Sequence, residues 1–244
     1  MRHIRTEALI LHAKLSGEYH KYLTILTKDS GIIRCTAYGA YKSKSKMVTS
    51  TDPYRYAVLS LYHNPVKDSY KIVDVDVLNG FDRLRTNIQK ILAAGYVTEI
   101  IQKTFAGGNN DTVFPLVRDA LTMLDNGSES EVDYILIQFL LYYFTDLGVL
   151  YLGTECGNCG NDLIWSQPSF WTGVEGEFVC PQCNHPGDIA IQPGSKAYMA
   201  HSLAIPFERA CRIKTDAVTL ANTKGFLRAI AASALGREPL SPWQ

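Results

Sequence analysis

The 244-residue sequence lacks most of the short signatures that announce catalysis. It has no Gly-Lys dipeptide, which excludes a Walker-type phosphate loop, and neither a G-x-G-x-x-G turn nor a G-x-S-x-G elbow. None of its six histidines is followed two residues later by Glu, so the His-x-Glu element of the zinc deaminases is missing. Long apolar runs are missing as well. The most apolar segment, YILIQFLLYYF (134–144), is far shorter than the ~20 residues of a membrane span and is flanked by Asp133 and Asp146. The opening MRHIRTEALILHAK contains no stretch resembling the core of a signal peptide. A reducing cytoplasm is the compartment this implies, and structural disulfides are rare there. No internal repeat or low-complexity tract appears.

What is present is ordinary globular material, 46% hydrophobic and 20% charged, enough for one large or two to three small domains. The formal net charge is zero, but it is unevenly spread. Residues 1–80 carry 12 Lys+Arg against 7 Asp+Glu, residues 81–195 carry 5 against 14, and residues 196–244 carry 7 against 3. The field, more than the net charge, steers a polyanion, so the basic first third is where nucleic-acid contact is expected.

That first third reads as β-structure. TEALILHAKL, KYLTILT, GIIRCTAYG, YRYAVLSLY and YKIVDVDVL are rich in β-branched and aromatic residues and are separated by polar turns. Five short strands without an intervening helix predict a small barrel, of either the OB or the SH3-like type. After residue 80 the period changes. Phe81, Leu84, Ile88, Ile91, Leu92 and Gly95 recur at helical spacing. A second helix is expected over TVFPLVRDALTML, with Asp111 as its N-cap and Pro115 in its first turn. Ser128 and Glu131 form a capping-box pattern ahead of the apolar 134–144 stretch, which is expected at the centre of a helical bundle. Further helices are expected beyond residue 187. The division that follows is 1–80 barrel, 81–152 helical, 153–187 thiol-containing insertion, and 188–244 helices completing the bundle.

The insertion holds four of the six cysteines as two Cys-x-x-Cys pairs, Cys156/Cys159 and Cys180/Cys183. Each pair can set two sulfurs on one tight turn, and two turns complete a tetrahedral S4 set around one structural zinc. Glycines 157, 160, 173 and 176 suit such turns. A redox role needs a pair opening a helix in a βαβ unit, and neither pair has that setting. Four thiolates leave no open position for a catalytic water. His185 is an alternative ligand to Cys183. Cys35 and Cys211 lie inside apolar patterns and read as inert buried thiols.

The loop YGAYKSKSKM (38–47) follows the third expected strand. Its Lys42, Lys44 and Lys46 alternate with serines, so an extended backbone puts three ammonium groups on one side, where they can track phosphates. Tyr38, Tyr41, Tyr54 and Tyr56 offer faces for unpaired bases; filling the barrel is their alternative role.

EALILHAKLSGEYHKYLTILTKDSGIIRCTAYGAYKSKSK, then FDRLRTNIQKILAAGYVTEIIQK, the paired Cys-x-x-Cys motifs and the terminal LGREPLS together resemble the bacterial RecO family of DNA-repair and recombination mediators. The most telling parts are Thr27, Gly31 and Gly39, the helix bearing Leu84, Tyr96 and Glu99, and the cysteine knuckles. The resemblance implies an α+β multi-domain protein: an N-terminal five-stranded OB-fold barrel, an α-helical bundle and an inserted four-Cys zinc ribbon. It further implies a protein without enzymatic turnover that binds single- and double-stranded DNA and anneals complementary strands. With RecR it would help load RecA onto strands coated by the single-strand-binding protein SSB, whose acidic tail it grips in its helical domain. The family's basic loop maps onto Lys42, Lys44 and Lys46, with Arg34 on the preceding strand. Tyr41 stands where the family often has Arg, which shifts that position from charge to stacking. The implied location is the cytoplasm, in association with the nucleoid. Two other readings are a zinc-ribbon and OB-fold adaptor in transcription or RNA binding, and a metal-dependent hydrolase.

Overall fold

A computed structural model describes residues 2–42, 45–107, 109–173, 176–236 and 243. The chain forms two compact units, Met1–Gly127 and Ser128–Gln244.

The first unit contains β1 (Arg2–Ser16), β2 (His20–Thr27), β3 (Gly31–Ala37), the short helix α1 (Met47–Ser50), β4 (Tyr56–Asn64) and β5 (Ser69–Asn79). The strands close a barrel in the order β1-β2-β3-β5-β4. Its 15 residues make β1 long enough to pair with β4 through its first half and with β2 through its second. The decisive pairing is β3 with β5, in parallel, at Cys35–Tyr70 and Thr36–Lys71. This crossover gives the five-stranded Greek-key barrel of an OB-fold and settles the choice between the two barrel types. Alternate residues point inward: Ala8 and Ile10, Leu23 and Ile25, Ile33 and Cys35, Leu59 and Leu61 make the barrel core.

Local chemistry fixes the β2–β3 turn. Gly31 has φ +64°, a conformation nearly reserved for glycine, and a Cβ there would lie 3.1 Å from Phe105. Buried Thr27 completes the turn: its hydroxyl donates to the Gly31 carbonyl at 2.8 Å and accepts the Ser30 N–H at 3.1 Å.

Two helices finish this unit, α2 (Ile88–Thr104) and α3 (Asn110–Asn126). The helical pattern expected from Phe81 starts later. Phe81 is buried with φ +46°, Leu84 opens a 3₁₀ turn, and Asn87 caps α2 by accepting the Lys90 N–H at 3.1 Å. Because the cap sets the start, the buried stripe of α2 is Ala93, Tyr96, Val97, Ile100 and Ile101, while Ile88 and Leu92 are exposed. In α3 the N-cap is Asn109; Asp111 lies in the first turn, where its carboxylate meets the positive end of the helix dipole. Pro115 lies two residues further in than expected, past the first turn.

The second unit contains α4 (Val132–Asp146), β6 (Ser169–Trp171), β7 (Phe178–Val179), β8 (Ile189–Ile191), α5 (Pro193–Leu203), α6 (Phe207–Ala210) and α7 (Ala217–Leu235). The capping box forms as expected: the Ser128 N–H and hydroxyl both donate to Glu131 Oε2, at 2.7 and 2.9 Å. Helix α4 is buried nearly all round, and its one buried amide, Gln138, donates to the Tyr198 hydroxyl at 2.8 Å and to Ser202 Oγ at 3.0 Å. Those bonds, with Lys224 to Asp133 at 2.8 Å, bring α5 and α7 back onto α4. The strands order as β7-β6-β8 between α4 and α5. None of the described helices is long and apolar enough to cross a membrane.

Candidate nucleic-acid interface and metal centre

The two Cys-x-x-Cys segments form facing turns. In the first, the Gly160 N–H bonds the Cys156 carbonyl at 2.8 Å, and Gly160 has φ +71°. In the second, the Cys183 N–H bonds the Cys180 carbonyl at 3.0 Å. The Gly157 N–H reaches the Phe178 carbonyl at 2.9 Å and locks the first turn beside β7. Gly157 has an ordinary φ, and a Cβ there would require the exposed Glu177 side chain to move, its own Cβ lying at 3.0 Å.

The Sγ atoms of Cys156, Cys159, Cys180 and Cys183 all lie within 4.8 Å of one another, and Cys159 and Cys180 are 3.9 Å apart. A tetrahedral ion with metal–sulfur bonds of ~2.3 Å requires S···S edges of roughly 3.8 Å, so the donor set fits. Among the described residues no His, Asp or Glu joins the cluster, and exposed His185 uses its backbone N–H to bond Asp188 at 2.7 Å. Burial works against ionising Cys156, but N–H groups of Cys159, Cys180 and Asn158 outweigh it and bring its pKa down to about 6. The Cys159 and Cys180 sulfurs push Cys183 up to about 12. Four thiolates this close repel one another unless a cation neutralises them. Cys35 and Cys211 are not members of the cluster; burial pushes both thiols up to about 12.

On the barrel, Arg34 is exposed midway along β3, opposite Thr24 of β2. It lines a groove of about 640 Å³ with Tyr22, Thr36, Tyr70, Gln102 and Phe105. The 38–47 loop is not extended in its described part. It runs as successive turns, with the Lys42 N–H on the Gly39 carbonyl and the Ser45 N–H on the Lys42 carbonyl, both at 3.0 Å, and leads into α1. Around Lys42, local hydrogen bonds stand where an extended run was expected. Lys42 and Lys46 are exposed; Lys44 lies outside the described residues. The loop leans on the β1–β2 turn, through the Tyr41 N–H on the Tyr19 carbonyl at 3.0 Å and the Gly39 N–H on His20 Nδ1 at 2.9 Å.

Of the four tyrosines, Tyr38 and Tyr41 are exposed. The Tyr41 ring lies 4.9 Å from Nζ of Lys21, a buried ammonium that pins the α1 segment by bonding Asp52 at 2.7 Å. Tyr56 is structural: its hydroxyl bonds Glu7 and its ring meets Phe114 edge-on. That bond, followed by Lys28, holds the Glu7 carboxyl below its ordinary pKa. Sequence reading missed Tyr22 and Thr36, which flank Arg34 on the barrel wall. Only strand register brings them there, and no local motif carries it.

Two family models match this chain: Recombination protein O N terminal over residues 1–81 and Recombination protein O C terminal over residues 85–243. The chain is 28% identical over 240 residues to the DNA repair protein RecO of Roseiflexus sp., covering 97% of this chain and 83% of the relative. It is 24% identical over 221 residues to that of Caldanaerobacter subterraneus subsp. tengcongensis (89% and 87% covered) and 29% identical over 192 residues to that of Oceanobacillus iheyensis (79% and 72%). With both of its halves matched in order, a closed OB-type barrel and a four-cysteine centre, the chain belongs to the RecO family of DNA repair proteins.

Proposed function

We propose that this protein binds single- and double-stranded DNA through its barrel and anneals complementary strands without catalytic turnover. With RecR it helps load RecA onto SSB-coated single strands, meeting SSB through that protein's acidic tail. The observation that carries the reading is the wall of the OB-type barrel. Exposed Arg34 stands there between β2 and the parallel β3–β5 junction, on the face through which such barrels hold single strands. Tyr41, Lys42, Lys44 and Lys46 follow as the adjoining loop. Phosphate contacts from these cations give affinity without sequence preference, as annealing any pair of complementary strands requires.

The four cysteines hold one structural Zn²⁺. With a full shell of sulfur it orders the turns and offers no site for chemistry. The division 1–80, 81–152, 153–187 and 188–244 then separates DNA contact, helical partner contact and the metal-stapled insert, in a protein working in the cytoplasm at the nucleoid.

Two complementary oligonucleotides labelled as an energy-transfer pair test this directly. The purified protein, without nucleotide, should speed their annealing, and Lys42→Ala with Lys46→Ala should slow it. No acceleration by the intact protein contradicts the proposal.

A further inference from the structure

The registers of the barrel place six side chains in one line across all five strands. Lys14 of β1 stands opposite Tyr22 of β2, which stands opposite Thr36 of β3. Thr36 adjoins Lys71 of β5 across the parallel pair, Lys71 stands opposite Tyr62 of β4, and Tyr62 opposite His3 at the other end of β1. All six point outward, because their chain neighbours Ala13, Leu23, Cys35, Ile72, Leu61 and Ile4 line or abut the barrel core.

Apart from Thr36, the line is basic and aromatic. Lys14 Nζ lies 5.3 Å from the Tyr22 ring centroid and Lys71 Nζ lies 4.5 Å from that of Tyr62. His3 meets Tyr62 edge-on at 5.5 Å. No carboxylate stands in this row. The next rows on β1, β4 and β5 change sign, through Arg5–Ser60–Asp74 to Glu7–Val58–Asp76. On the β1–β2–β3 side the next row, His12–Thr24–Arg34, stays basic. The basic row is therefore bounded on one side by acid and adjoins on the other the Arg34 wall, whose groove also contains Asp68 beside the start of β5.

We infer that this lysine–tyrosine belt is a track for an unpaired polynucleotide strand, carrying it past the β2–β3 wall onto β5 and β4. The inference rests on the DNA-binding reading above and extends it to residues outside the basic loop. In the free protein each ammonium covers the ring beside it. A phosphate draws the lysine aside, and the uncovered ring takes the base. The exchange is favourable because an exposed cation–π pair is weaker than base–aromatic stacking. Tyr22 and Tyr62 are separated by three strand steps, roughly 14 Å at ~4.8 Å each. The rings stand outside the backbone of a closed barrel, so their path is longer than this, and at least four nucleotides at a rise of ~3.4 Å cover it, within the ~4–16 held by one OB-fold. A duplex keeps its base faces stacked, so the belt selects single strands.

The test is anisotropy of labelled oligo-dT with the whole protein at several salt concentrations. Tyr62→Ala should weaken binding roughly 5- to 150-fold with the salt slope unchanged, since stacking carries no charge. Tyr62→Phe, which keeps the ring, should bind as the parent does. Lys71→Ala should instead lower the salt slope by ~0.7. Duplex binding should be unaffected by Tyr62→Ala. If the parent binds oligo-dT and the loop variants weaken it while Tyr62→Ala and Lys71→Ala leave it unchanged, the belt is overturned and the loop site stands. If the parent itself does not bind, the DNA-binding reading falls and the belt with it.

Discussion

Lys196 is the buried cation that ties the thiol-bearing insert to α5. It is 7% exposed, and Nζ donates to the carbonyls of Ile164 at 3.1 Å and Gln167 at 2.7 Å and to Ser169 Oγ at 3.0 Å. None of these three acceptors is a carboxylate, so two effects oppose each other: three bonds from a charged donor, and the cost of burying that charge. Lys196→Met keeps the length of the stem and deletes the donor. Ser169 is itself 1% exposed and would lose a buried partner, at about 1–3 kcal/mol. The two carbonyls belong to exposed residues and can recover water, so each loss is nearer 0.5–1.5 kcal/mol. The sum is a destabilisation of roughly 2–6 kcal/mol, read by urea unfolding, with hydrogen exchange accelerating over residues 164–169. Burial also lowers the pKa of this lysine from its ordinary 10.5. The unfolded chain then holds the proton more tightly than the folded one, so stability rises with pH between the lowered value and 10.5, and the variant loses that rise. A variant as stable as the parent, or more stable, would show that desolvation outweighs the bonds and would refute the reasoning.

Cys180→Ser should remove tightly held zinc, read by metal analysis of chelator-free protein, and loosen the insert while the barrel's β-sheet circular dichroism persists. Gly31→Ala should cost about 1–2 kcal/mol from its φ of +64° alone, with more from the approach to Phe105, visible as a lowered melting temperature. Thr27→Val should destabilise the same turn by about 1–3 kcal/mol, because it strands a buried carbonyl and the Ser30 N–H.

The strands, the α4 core, the capping box and the sulfur cluster were legible because each is a local or periodic signal. Alternation marks Leu23 and Ile25, and Cys-x-x-Cys spacing marks a turn whatever surrounds it. The telling positions Thr27, Gly31 and Gly39 acquire a physical reason in the turns at either end of β3: one hydroxyl closing a turn and two glycines at positive φ. What the sequence hid is long-range. The β3–β5 crossover separates the two barrel types, and no window of residues contains it. The start of α2 moved from Phe81 to Ile88 because a side-chain cap at Asn87 overrides the apolar period. The belt is the clearest case, since its six residues span positions 3 to 71 and meet only through register. Lys42 illustrates the reverse, as local turns stand there in place of the extended run that the spacing suggested.

The central claim is that the barrel holds DNA by its phosphates, and a salt titration tests it most directly. Labelled single-stranded DNA is titrated at several salt concentrations against the parent and against the combined variant Arg34→Ala, Lys42→Ala, Lys46→Ala. Each lost contact should lower the magnitude of the slope of log affinity against log salt by ~0.7, so the variant should lose about 2, equally for every sequence tested. A folded variant with unchanged affinity and slope would contradict the account and move the search for DNA contact to the basic segment at Arg209, Arg212 and Lys214.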